Sequence, residues 1–111
     1  MNTNEFEKAK PITLSESVEY SAGGIVSKTV LKRETGNISV FSFDKNEGLT
    51  EHTSPFDAVI VGIDGRGEVT IGGAPNTVEA GQLIIMPRNI PHAVTAVEKF
   101  KMMLIMIRSK E

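Results

Sequence analysis

The two histidines of this chain, His52 and His92, are its side chains best suited to the chemistry of a binding site. An imidazole changes charge near neutral pH, and its neutral form ligates metals through one ring nitrogen. The chain contains no cysteine, which excludes disulfides, thiolate metal sites and a thiol nucleophile. A metal site within one chain would therefore combine at most two imidazoles with oxygen ligands.

Polar groups cluster around the first histidine. Strand alternation predicts Thr50, His52 and Ser54 on one face. Two imidazoles from neighbouring strands would hold a divalent ion such as Ni, Zn, Fe or Mn only weakly, because a stable site needs at least three protein ligands. The missing ligands would have to come from Asp57, Glu51 or water. Asp57 would point to the opposite face unless a bulge re-aims it.

Each of these residues also has a purely structural interpretation. Both histidines would then be hydrogen-bonded and partly buried in the mouth of a barrel without metal, and Asp57 would bind neighbouring backbone amides. Ser54 has no orienting acid other than Asp57, so acyl chemistry is not expected. Four methionines could line a soft pocket, but unbranched methionine more often fills gaps in a core. These are Met86, Met102, Met103 and Met106.

Length and composition bound the class of protein. With 111 residues, 40% of them hydrophobic and 23% charged, the chain predicts one globular domain. The formal net charge of −2 offers no basic field, so no nucleic-acid partner is expected. The start of the chain does not resemble a signal peptide, and the longest apolar run, 102–107, is too short to cross a bilayer. We therefore expect a cytoplasmic protein with no membrane partner.

Short runs rich in Val, Ile, Thr and Phe recur between turn residues, and none carries a long apolar stripe of helical period. The predicted strands are 25–32, 38–43, 57–63, 68–71, 83–86, 92–97 and 101–107. The sequences Gly65-Arg66-Gly67 and Gly72-Gly73 are predicted as hairpin turns, since glycine supplies positive φ. Such short connections favour antiparallel strands. The chain is therefore predicted to be all-β, a sandwich or a barrel.

The segment 81–92 carries a spaced motif. Gly81, Pro87 and His92 match the second motif of the cupin superfamily, which runs Gly, five residues, Pro, any residue, Gly, two residues, His, three residues, Asn. Asn89 and Ala96 stand where that motif has Gly and Asn. The chain thus resembles the cupins over roughly residues 35–107.

The segment around the first histidine resembles the first cupin motif less fully. His52 and Gly65 match it, Ser54 and Ala58 replace its second His and its Glu, and Gly48 lies closer than the usual Gly. Two of the four metal ligands that the resemblance implies are therefore absent from their expected positions.

The resemblance to small single-domain cupins implies a single-domain antiparallel jelly-roll β-barrel over residues 21–111. Residues 1–20 would form an N-terminal arm that is partly disordered or packs on the barrel. The superfamily includes dioxygenases, isomerases, sugar-binding modules and storage proteins, so the fold does not select a function. Whether the protein is an enzyme stays open, and no catalytic residue is assigned.

Two functions are compatible with these residues. The first is a module that binds a small organic molecule in the barrel, and its expected ligand-binding residues are His52, Ser54, Asp57, Met86 and His92. The alternative is a metal-dependent oxygenase or isomerase with a reduced site of His52 and His92. No cofactor is certain, and the alternative requires a weakly bound divalent metal. The lost ligands favour the first function.

The run 102–107 is apolar at every position, whereas a half-exposed strand alternates. Both of its faces must be covered, so we expect a homodimer with this strand near the interface. The competing arrangement folds residues 12–20 back over the strand and leaves a monomer.

Overall fold

The computed structural model describes residues 4–108 and consists mainly of antiparallel β-strands. The described part also has one 3₁₀ turn, Leu14–Glu16, and no helix long and apolar enough to span a membrane. The strands are β1 (Ile25–Arg33), β2 (Gly36–Phe43), β3 (Gly48–His52), β4 (Asp57–Ile71), β5 (Ala74–Glu79), β6 (Leu83–Met86) and β7 (His92–Ile107).

Two long strands, β4 and β7, pair with each other along nearly their whole lengths. The first half of β4 and the second half of β7 form one sheet, in the order β1-β2-β7-β4-β6. The second half of β4 and the first half of β7 form the other, in the order β3-β7-β4-β5. The two sheets share the β4–β7 pair and enclose the core, which is the antiparallel jelly-roll barrel expected from the sequence.

The β4 strand bends where its register with β7 shifts, between Gly62 and Asp64 and again between Gly65 and Gly67. A Cβ atom on Gly67 would lie 2.5 Å from the ring of Phe100, and one on Gly65 would collide with a backbone carbonyl of β7. Gly65 also has a φ of +73°, which side chains with a Cβ rarely adopt. These glycines let the strand bulge and pass from one sheet to the other.

Several strand boundaries differ from the sequence prediction. Gly65-Arg66-Gly67 is a bulge within β4 and not a hairpin turn, so 57–63 and 68–71 belong to one strand. In the same way 92–97 and 101–107 are both parts of β7. The strand β5 is absent from the predicted strands because its sequence is polar and lacks apolar alternation. A strand was expected around His52 only from the site argument, and β3 ends at His52, before Ser54. The Gly72-Gly73 turn is confirmed and joins β4 to β5.

Inward-facing side chains of both sheets form the core. The rings of Phe43 and Phe100 pair across β2 and β7 and stack with centroids 6.3 Å apart. Ile60 and Met102 are fully buried and also line the cavity described below. The core therefore sets the inner wall of the candidate site.

The segment before β1 packs on the outside of the first sheet. Val18 is fully buried, and the Ser42 hydroxyl donates a 2.6 Å hydrogen bond to the carbonyl of Glu19. The Lys101 ammonium donates another, also 2.6 Å, to the carbonyl of Ser15. This segment therefore covers the sheet near Ser42 and Lys101, which are paired residues of β2 and β7.

Apolar side chains beyond that segment lie on the outward side of the same sheet. Leu83, Ile85 and Ile107 are 61%, 62% and 56% exposed. Ile85 pairs with Val59, which pairs in turn with Ile105. We call this surface the outer apolar face; it comprises Val59, Val61, Leu83, Ile85, Met103, Ile105 and Ile107. A continuous apolar surface of this kind is typical of a contact with another chain.

We predict that the outer apolar face joins two copies of the chain. Light scattering should then give a mass near twice 12.0 kDa. The substitution Ile85→Glu should lower this mass to that of one chain while circular dichroism still shows a folded barrel, because it places a charge in the interface and leaves the core intact.

Ile25→Glu is the matched control for the dimer. Ile25 is also exposed, at 42%, but lies on β1 at the other edge of the sheet, so its substitution should leave the dimer unchanged. A wild-type mass near 12 kDa at micromolar concentration would contradict the prediction.

Candidate functional site

The two histidines lie side by side on neighbouring strands. His52 on β3 pairs with His92 on β7, and their ring centroids are 4.5 Å apart with an angle of 66° between the rings. The structure therefore brings together two side chains that are forty positions apart in the sequence.

A bulge in β3 sets the direction of the first histidine. From Leu49 to His52, β3 advances three residues while β7 advances only two. Leu49 and His52 therefore both line the cavity, whereas Thr50 is exposed and lies outside it. The predicted alternation of Thr50, His52 and Ser54 on one inward face is wrong for this reason.

Both imidazoles are held by backbone carbonyls two residues earlier. His52 Nδ1 lies 2.8 Å from the carbonyl of Thr50, and His92 Nδ1 lies 3.2 Å from that of Ile90. A carbonyl oxygen only accepts hydrogen bonds, so each Nδ1 carries the proton and each Nε2 keeps its lone pair. No hydrogen-bond partner for either Nε2 occurs within residues 4–108.

Beside the two imidazoles lies a cavity of about 40 Å³ inside the barrel. Its wall is otherwise apolar and includes Ala58, Ile60, Met86, Met102, Leu104 and Met106. His92 is only 7% exposed, whereas His52 is exposed and marks the side facing solvent. Because one water needs roughly 10–15 Å³ of such space, the cavity holds a few waters or one ion.

Of the other expected binding residues, only Met86 lines the cavity, where it is 2% exposed. Ser54 is buried, but its hydroxyl oxygen accepts a 3.1 Å hydrogen bond from the backbone of Phe56. Asp57 is exposed, and its carboxylate accepts a 3.2 Å hydrogen bond from the backbone of Arg88. Ser54 and Asp57 thus stabilise loops next to the site, and neither lines the cavity.

Three residues form a row across β6, β4 and β7 that the sequence reasoning did not identify. Ala58 pairs with Met86 on one side and with Met106 on the other, and all three line the cavity. We call them the Ala58 row. Alternation along 102–107 could have revealed that Met106 faces inward with Met102, but the pairing of both methionines with Ala58 depends on strand register.

A family model described as a cupin domain matches residues 39–108. The chain belongs to the cupin family. The two histidines and the Ala58 row all fall inside the matched region of this cupin domain.

Solved structures agree with this assignment. A conserved protein of unknown function from Streptococcus pyogenes is 37% identical, with 97% of this chain and 95% of that chain covered and a TM-score of 0.91. A cupin 2 conserved barrel domain protein from Leptotrichia buccalis is 40% identical, with 87% of this chain but 47% of that chain covered and a TM-score of 0.85.

More distant cupins share the fold alone. A cupin superfamily protein from Desulfitobacterium hafniense is 20% identical, with 96% of this chain and 97% of that chain covered and a TM-score of 0.87. The chain has no match among curated proteins. The function must therefore be argued from the site.

We predict that His52 and His92, when neutral, are both protonated at Nδ1. Long-range ¹H–¹⁵N spectra should show this tautomer for both rings, because backbone carbonyls fix each Nδ1 as a donor. With only two histidines in the chain, a His52→Gln variant assigns both sets of signals. A ring protonated at Nε2 in the wild-type protein would contradict the proposed orientation.

Proposed function

We propose that this cupin is a binding module that anchors a small organic molecule through the Nε2 atoms of His52 and His92. The carbonyl-bound Nδ1 atoms carry this proposal, because they leave two hydrogen-bond acceptors beside an apolar cavity. A suitable ligand presents an N–H or O–H donor at one end and apolar surface elsewhere.

The size of the cavity limits this ligand. Ligand pockets for drug-sized molecules usually have roughly 300–1,000 Å³, whereas this cavity has about 40 Å³. Only the donor-bearing end of the ligand therefore enters it. The remainder lies at the mouth, beside the exposed His52.

The arrangement favours binding over catalysis by a nucleophile. The hydroxyl of Ser54 accepts a hydrogen bond from a backbone amide outside the cavity, and the carboxylate of Asp57 does the same. Neither is placed to activate or orient the other beside the imidazoles, so the described residues supply no set of nucleophile, base and acid.

We predict that small alcohols, amides and primary amines bind at the histidine pair. Titration followed by ¹H–¹⁵N spectra should show saturable shifts at the backbone amides of His52, Ala58 and His92. The double variant His52→Phe, His92→Phe should abolish these shifts, because it keeps both rings in place but removes both acceptors.

Thr50→Val is the matched control for this titration, since Thr50 lies on the same strand as His52 but outside the cavity. It should leave the shifts unchanged. Shifts that persist in the double variant His52→Phe, His92→Phe, or no shifts with any of these molecules, would refute the proposed binding site.

The alternative is a metal-dependent oxygenase or isomerase. One observation favours it: both Nδ1 atoms bind backbone carbonyls. Metal-ligating histidines usually donate the N–H of their second ring nitrogen to a carbonyl or carboxylate in this way. The donor set does not fit, however, since no group of three His, Cys, Asp or Glu side chains suited to a metal occurs within residues 4–108. We therefore derive no reaction step through Ni, Zn, Fe or Mn.

We predict that the untagged protein, purified without chelators, holds well under one equivalent of iron, nickel, zinc or manganese. Two imidazoles without a carboxylate bind these divalent ions too weakly to retain them. Elemental analysis measures this directly. About one equivalent of any of them, lost in His92→Ala, would restore the enzyme interpretation.

A further inference from the structure

We propose that the cavity is a site for a soft monovalent cation, Cu(I), held by Nε2 of His52 and His92 and by the thioether sulfurs of Met86 and Met106. This inference rests on one part of the proposed function, namely that the paired Nε2 atoms are the binding groups. It adds thioether sulfur as a second class of donor. The ligands expected from the sequence were only imidazole nitrogen and oxygen.

The Ala58 row supplies the two thioethers. Met86 and Met106 occupy register positions on either side of Ala58 and line the same cavity as the imidazoles. Residues directly opposite on neighbouring strands have Cβ atoms about 4.5–5.5 Å apart, so both methionine side chains can reach over Ala58. Ala58 contributes only a methyl group and leaves the space between them open.

The type of donor selects the ion. No carboxylate lines the cavity, so a hard ion finds no oxygen ligand from the protein there. Thioether sulfur favours Cu(I), and imidazole also binds copper. A filled d shell imposes no preferred geometry, so the ligand positions do not have to match a square or octahedral arrangement.

Charge and size favour the same ion. All four proposed donors are neutral, and moving a charge into an apolar wall carries a desolvation cost that rises with the charge. A monovalent ion is therefore less costly to bury here than a divalent one. A volume of about 40 Å³ accommodates a single ion without a hydration shell.

If the methionines only filled gaps in the core, nothing would require them to line the same cavity as the lone pairs of the two Nε2 atoms. Met86 is 2% exposed and belongs to the core, yet it also lines the cavity beside the two Nε2 atoms, which have no hydrogen-bond partner among the described residues. Met103, by contrast, lies on the outer apolar face and outside the cavity. It therefore serves as a matched control for the effect of replacing a thioether.

The test is an anaerobic titration of the full-length protein with Cu(I) against a chromophoric chelator. The wild-type protein should bind one equivalent per chain and should prefer Cu(I) to Zn(II). The double variant Met86→Leu, Met106→Leu keeps the side-chain volume nearly constant. Its Cu(I) affinity should fall by more than the roughly 10–100-fold that loss of an outer-shell partner costs, whereas Met103→Leu should have no effect.

A copper-edge X-ray absorption spectrum gives a second readout. Nitrogen and sulfur neighbours are expected in the wild-type protein, and fewer sulfur neighbours in the double variant, which keeps Met102 in the cavity wall. Circular dichroism checks that the double variant is folded. Equal Cu(I) affinity of wild type and double variant, or tighter binding of Zn(II) than of Cu(I), would overturn the copper inference.

The outcomes also separate this inference from the proposed function. If the small organic donors shift the amides around His52 and His92 but Cu(I) does not bind, the copper site is refuted and the organic binding site stands. If neither binds, both are refuted. If Cu(I) binds through sulfur and no organic donor does, only the organic ligand is refuted.

Discussion

The antiparallel pairing of β4 with β7 holds every other part of this barrel in position. Each strand belongs to both sheets, so β6, β5, β3 and β2 all attach to one of the two. The pair must bend to do this, and the bend depends on the close approach of Gly67 to the ring of Phe100. Without it, the inward faces of the two sheets would not meet.

The candidate site follows from that same pair. One end of β7 provides His92 and the other provides Met106, while β4 provides Ala58 between them. The strands at the edges then add one residue each, since β3 contributes His52 and β6 contributes Met86. Four strands thus direct side chains from distant parts of the sequence into one small volume.

Much of the fold could be predicted from the sequence, and the site only in part. Glycine-rich turns and apolar runs indicated an antiparallel barrel, and the spacing from Gly81 to His92 indicated the family. The bounds of β3 could not be predicted because its sequence lacks an apolar pattern. Its bulge was also not predictable, and this bulge makes Leu49 rather than Thr50 line the cavity with His52. The bulge at Gly65 looked like a turn, since both use positive φ. Bulges and register are non-local properties, and one residue of shift reverses a face.

The carbonyls of Thr50 and Ile90 have a consequence for the thermodynamics of binding. Holding a mobile side chain in one rotamer on binding costs roughly 0.5–1.5 kcal/mol. In this barrel the backbone already fixes both rings during folding, so their loss of conformational entropy belongs to the folding equilibrium. A ligand that binds the two Nε2 atoms therefore does not have to order these side chains, and more of its interaction energy appears as affinity.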